Sequence, residues 1–97
     1  MYARVTTWKV DPDRRAEVEA LVNSGILSKV EALPGLKTAI SAMRDDGTGI
    51  TTAVYDSEAS ANAVTDQIAE IWSALGEYLT APPSVSGYTV MLHVQKD

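Results

Sequence analysis

The chain has 97 residues, of which 45% are hydrophobic and 22% are charged, and its formal net charge is −5. This length predicts a single domain over residues 1–97, and the composition is that of a folded globular protein rather than a disordered one. An acidic chain with scattered Lys and Arg residues would be repelled by phosphate backbones, so we expect no nucleic-acid binding.

Cysteine is absent from the sequence. This excludes disulfides, thiolate nucleophiles and metal or iron–sulfur centres held by sulfur. No apolar run reaches the roughly 18–20 residues of a membrane span, so we expect no membrane contact. Residues 1–7 lack the apolar stretch of a signal peptide, which favours a cytoplasmic location.

The first half of the chain predicts a strand, a helix and a second strand. Residues 2–10 are rich in β-branched and aromatic side chains and lack Gly and Pro, which indicates a strand. Asp11-Pro12 is a typical helix start, apolar residues then recur at helical spacing up to Leu33, and Pro34-Gly35 ends the helix. Ser24-Gly25 predicts a kink within it. Residues 36–44 form the second predicted strand.

The second half repeats this order. Residues 45–49 have the composition of a hairpin turn, and residues 50–55 are predicted to form the third strand. Asp56-Ser57-Glu58 is a capping sequence for a second helix, whose apolar stripe runs from Val64 to Leu79. Residues 81–84 break the chain, and residues 87–94 are predicted to form the last strand.

The order predicts an α+β protein with a ferredoxin-like βαββαβ plait. Its sheet would have four antiparallel strands, with the two helices on one face. Apolar side chains occur on both faces of the strands, whereas two helices can cover only one. We therefore expect a homodimer that forms through sheet-to-sheet packing; a monomer with an apolar outer sheet face is the alternative.

Three segments carry a resemblance to a known family. They are residues 2–12, Leu33-Pro34-Gly35-Leu36, and Tyr55-Asp56-Ser57-Glu58-Ala59. On these segments the chain resembles the dimeric α/β-barrel superfamily, specifically the antibiotic-biosynthesis-monooxygenase-like (ABM) domains, over essentially its whole length. The fold of that superfamily supports several unrelated activities.

The resemblance implies two candidate reactions. One is the oxygenation of polycyclic phenols without a bound cofactor, in which the substrate supplies the electrons and the protein supplies a dry pocket. The other is haem degradation, which in this superfamily resembles an Asn–Trp–His arrangement with His as the iron ligand. The aligned positions are Thr6, Val64 and Ala74, so we do not expect haem degradation.

Four residues are the candidate ligand-binding residues. Strand alternation places Arg4, Thr6 and Trp8 on one face of the first strand, and Trp72 lies on the apolar stripe of the second helix. An indole ring can stack on a planar ligand, although the apolar stripe favours a core position for Trp72. A buried Arg4 needs an anionic partner, which would be a ligand oxyanion or an internal carboxylate, Glu17 or Glu70.

No catalytic residue can be assigned from the sequence. The only histidine, His93, has no acidic neighbour in sequence except Asp97, so we expect a structural or exposed role. No His, Asp and Glu residues have ligand-like spacing, so no metal is expected. The first hypothesis is a cofactor-independent oxidoreductase acting on a small hydrophobic aromatic. The alternative is a non-catalytic small-ligand-binding or assembly domain, which the missing base favours; a cavity too small for a bicyclic ligand would favour it further.

Overall fold

The computed structural model describes residues 1–96; Asp97, the predicted acidic neighbour of His93, lies outside them. Four strands form one antiparallel sheet with the order β2-β3-β1-β4. The strands are β1 (Tyr2–Lys9), β2 (Leu36–Met43), β3 (Thr48–Tyr55) and β4 (Ser84–Thr89). This is the order of a ferredoxin-like plait, so the predicted α+β class and βαββαβ topology are confirmed.

The first helical segment connects β1 and β2. It consists of a 3-10 turn (Pro12–Arg14), α1 (Arg15–Leu21), a π-helical turn (Val22–Ile26) and α2 (Leu27–Glu31). The carboxylate of Asp11 accepts a hydrogen bond from the backbone of Asp13, as expected of an N-cap residue. Ser24-Gly25, where the sequence predicts a kink, lies in this π-helical turn, in which the backbone widens without breaking the helix.

The second helical segment is divided in two. The sequence predicted one helix after Asp56-Ser57-Glu58, whereas α3 (Glu58–Ala63) and α4 (Thr65–Ala74) meet at a non-helical Val64. The Ser57 hydroxyl accepts a hydrogen bond from the Ser60 backbone and so caps α3. Val64 is completely buried. This residue separates the two helices, and Ala61 of α3 and Ile71 of α4 both belong to the buried core.

The last strand ends earlier than predicted. The sequence predicts a strand over residues 87–94, which are rich in apolar side chains, but β4 covers Ser84–Thr89 and so also begins three residues earlier. The reason for its early end is the register, which pairs Tyr2 of β1 with Thr89. After one further hydrogen bond, from the Val90 backbone to Met1, the chain has no remaining strand to pair with. Met91, Leu92 and Val94 are therefore exposed.

The helices cover one face of the sheet. Val10, Tyr55, Val64 and Ile71 belong to the buried core on that side. The opposite side, here called the outer sheet face, carries the exposed side chains of Ile40, Ile50 and Tyr88. Within residues 1–96, no helix combines the length and apolarity that crossing a membrane would require.

Candidate functional site

A cavity of about 520 Å³ lies between the sheet and the helical segments. Its sheet side includes three small side chains, Ala39, Ser41 and Ala53, which leave space above the strands at these positions. Apolar side chains of α1, the π-helical turn, α2 and α4 form the opposite wall. The volume falls in the range of about 300–1,000 Å³ that is typical of small-molecule sites.

Two tryptophans form an aromatic wall of this cavity. The ring centroids of Trp8, on β1, and Trp72, on α4, are 6.4 Å apart and their planes are tilted by 56°. This tilted arrangement is one that aromatic pairs prefer. Both indole rings therefore lie at the same wall of the cavity, where they could contact a planar ligand.

The orientation of Trp8 depends on a glycine and a hydroxyl on β3. Gly49 lies directly opposite Trp8, and a Cβ atom at this position would collide with the indole ring. Trp8 Nε1 donates a hydrogen bond to Thr51 Oγ1 at 3.0 Å, and Thr51 Oγ1 shares a hydrogen bond of 2.7 Å with Ser41 Oγ. A row of polar groups thus crosses three strands on the sheet side of the cavity.

We expect Thr51→Val to lower the free energy of unfolding by about 1–2 kcal/mol. Valine keeps the shape of the side chain but leaves the half-buried indole N–H without an acceptor. Urea denaturation measures the loss, and the same substitution in a Trp8→Phe background is the control. The cost should fall by at least about 0.5 kcal/mol there; equal costs in the two backgrounds would mean that the bond does not stabilise the fold.

The other two predicted ligand-binding residues do not line the cavity. Thr6 is buried within β1. Arg4 donates a hydrogen bond from Nη2 to Asn62 Oδ1 of α3, and its guanidinium lies 5.8 Å from the centroid of the Tyr2 ring. The expected carboxylate partners are therefore replaced by an amide. Of these carboxylates, Glu17 instead pairs with Arg14 at 2.8 Å.

The structure adds Arg15, Glu19 and Asn23 to the cavity wall. Arg15 was not singled out in the sequence, although it precedes Val18 by three residues and Val22 by seven, which places it on the same helical face. Asn23 lies in the π-helical turn, where its side-chain amide donates to the Glu19 carbonyl at 2.9 Å. Arg15, Glu19 and Asn23 all belong to the first helical segment.

Apart from the exposed carboxylate of Glu19, the titratable groups give no candidate base at the cavity. Burial raises the pKa of Tyr55, which also lines the cavity, above its ordinary value, while the charge of Arg4 acts in the opposite direction. Tyr55 is therefore a neutral phenol at neutral pH. His93 is exposed and follows β4. Within residues 1–96, no three His, Asp or Glu side chains are grouped so that they could hold a metal ion.

Several solved structures are similar to the fold of this chain. No protein-family model and no curated protein matches the chain. A monooxygenase from the gene ActVA-Orf6 of Streptomyces coelicolor, solved in complex with the ligand nanaomycin D, gives a TM-score of 0.75 at 22% identity, over 99% of this chain and 92% of that one. A Nitrosomonas europaea protein of unknown function gives 0.78 at 16% identity, over 99% and 94%.

A third structure, a Caulobacter crescentus protein assigned to the antibiotic biosynthesis monooxygenases, gives a TM-score of 0.77 at 21% identity, over 94% of this chain and 90% of that one. Similarity at these identities establishes the fold alone. The chain has the fold of the ABM domains, and the resemblance inferred from its sequence is confirmed at that level.

Proposed function

We propose that this chain, which has the fold of the ABM domains, is a cofactor-independent oxidoreductase that oxygenates a small hydrophobic aromatic in the cavity between helices and sheet. The observation that carries the proposal is the cavity of about 520 Å³ with Trp8 and Trp72 on its wall. Its volume is sufficient for a bicyclic ring system. The structural similarity to the Streptomyces coelicolor monooxygenase is consistent with this chemistry.

The proposed reaction uses the electrons of the substrate. The phenol releases its proton to solvent, the phenolate donates one electron to O₂, and the phenoxyl radical and superoxide combine to a peroxide anion at a ring carbon. The peroxide takes up one proton from solvent, and loss of water with the hydrogen of that ring carbon leaves a quinone. One phenol and one O₂ thus give one quinone and one water. The apolar side chains of the walls would hold the ring against the two indoles. Arg4 and Thr6 lie outside these walls, so the proposal assigns them no contact with the ligand.

Oxygen uptake tests the proposal directly. A dihydroxynaphthalene is added to the purified protein in the presence of a chelator, with an oxygen electrode and quinone absorbance as the measurements. We expect saturable O₂ consumption, together with quenching of tryptophan fluorescence as the ring binds. Ala53→Leu, which fills the cavity from the sheet side, should lower both binding and oxygen uptake at least about tenfold.

The matched control is Ala59→Leu, since Ala59 is an exposed alanine of α3 and does not line the cavity. It should bind and react like the parent protein. Saturable binding without oxygen uptake would support the alternative, a non-catalytic small-ligand-binding domain, which the absence of a histidine from the cavity favours. Absence of binding to the parent would contradict both functions.

The proposal includes a homodimer formed through the outer sheet face. The helices leave this face uncovered, and side chains there are exposed to an extent unusual for large apolar residues, 67% for Ile40 and 57% for Tyr88. Residues 91–96 extend beyond β4 with three further apolar side chains exposed. A second copy of the chain would bury both features.

A further inference from the structure

We infer that Arg15 binds an anionic oxygen of the ligand, so that the cavity selects aromatic compounds carrying a phenolate or carboxylate over neutral ones. The inference rests on the proposed function, since it requires a ligand in the cavity. It names Arg15 as a residue that determines specificity and aromatic anions as the class of ligand that the cavity accepts.

An unpartnered polar atom is the first observation. Arg15 Nε is buried and has no hydrogen-bond partner within residues 1–96, although Arg15 lines the cavity. A buried N–H without an acceptor is costly, and no water-sized atom reaches Nε in the unliganded chain. A ligand oxygen removes this cost when the guanidinium turns toward the cavity, and the side chain, which is 36% exposed, has room to turn. An anionic oxygen is the acceptor that a guanidinium binds most strongly.

The remaining contacts of Arg15 leave its charge available. Its Nη2 lies 3.3 Å from Asp45 Oδ1 in the turn between β2 and β3, but the Asp45 side chain is completely exposed. Ion pairs at such exposed positions contribute little and are screened by salt. Arg15 is thus held at the cavity wall by a weak contact that does not involve Nε.

The neighbouring charges do not compensate Arg15 from within the cavity. Glu19 lies one helical turn further along α1 and also lines the cavity, but it is exposed. The ion pair that Arg15 makes within the described residues is with Asp45 rather than with Glu19. The other nearby arginine, Arg14, is paired with Glu17 and Glu77 and lies over the Tyr78 ring at 4.3 Å.

The experiment compares isosteric anionic and neutral probes. Dissociation constants of 2-naphthoate and 2-naphthamide are measured by tryptophan quenching at neutral pH. A nitronaphthol that is ionised at this pH and its methyl ether give the same comparison for a phenolate, so the two oxyanion classes are distinguished. For at least one pair we expect the parent to bind the anion about 10- to 100-fold more tightly, as a charge-assisted hydrogen bond provides.

Arg15→Met should abolish this preference while binding the neutral probe within about twofold of the parent, which shows that the cavity is intact. Arg14→Met removes the same net charge outside the cavity and should keep the preference. If the parent binds both members of each pair equally, or if Arg15→Met retains the preference, the inference is wrong while the proposed function stands. If the parent binds none of the probes, the proposed function itself fails.

Discussion

Replacing Gly47 with alanine is expected to lower the free energy of unfolding by about 3 kcal/mol. Gly47 has a φ of 89°, a backbone conformation that costs a residue with a Cβ atom about 1–2 kcal/mol. The added methyl group would also collide with the carbonyl oxygen of Val10, and such overpacking costs typically about 1–3 kcal/mol. The Gly47 carbonyl accepts a hydrogen bond from the Val10 backbone at 3.0 Å, so any shift of the turn also weakens its attachment to β1.

The matched control is Gly25→Ala in the π-helical turn. A Cβ atom there would meet only Leu21 Cδ1 at 3.9 Å, which is an ordinary contact. Since alanine has less conformational freedom in the unfolded chain, we expect this variant to equal the parent or to gain up to about 1 kcal/mol. Urea denaturation of the two variants measures the difference. Stabilities within about 0.5 kcal/mol of each other would contradict the structural role assigned to Gly47.

Replacing Ile40 with aspartate is expected to convert the proposed dimer into a folded monomer. Light scattering of the parent at micromolar concentration should give about twice the chain mass of 10.4 kDa, and the variant should give the chain mass itself. Ile40 is largely exposed within one chain, so the charge costs the monomer little. In a sheet-to-sheet interface the same carboxylate would be buried without a partner.

Val85→Asp is the control for this experiment. Val85 is 55% exposed on β4, but it lies opposite Thr6 in the register and therefore points to the helix side of the sheet. A carboxylate there should leave the dimer intact, and circular dichroism checks that both variants are folded. A parent that scatters as a monomer at tens of micromolar would exclude the dimer.

Local patterns predicted the architecture because its elements are defined by nearby residues. The Asp11 and Ser57 caps, the apolar stripes of the helices and the turn glycines all act over a few positions. The end of β4 was wrongly predicted because it depends on a distant residue. Its pairing stops where β1 begins, at Tyr2, and the apolar composition of residues 90–94 contains no information about that limit.

The candidate site was predictable only in part, for the same physical reason. Trp8 and Trp72 were identified from ring chemistry and lie together at the cavity. Arg4 and Trp8 share one face of β1, but neighbouring elements decide what each side chain meets: Arg4 meets Asn62 of α3, while Trp8 extends over Gly49 and the cavity. The significance of Arg15 depends on a buried nitrogen without an acceptor, which only the packed structure reveals.

The π-helical turn has a consequence for how the shape of the cavity is encoded. Val18, Val22, Ile26 and Val30 follow one another at intervals of four residues, and all four line the cavity. In a regular α-helix each interval of four advances about 40° beyond a full turn, so three intervals would rotate Val30 about 120° away from Val18. The wider turn at Val22–Ile26 absorbs part of this rotation and keeps the row facing the sheet. The number of residues in this turn, as well as their identity, therefore determines how far along the helix the cavity extends.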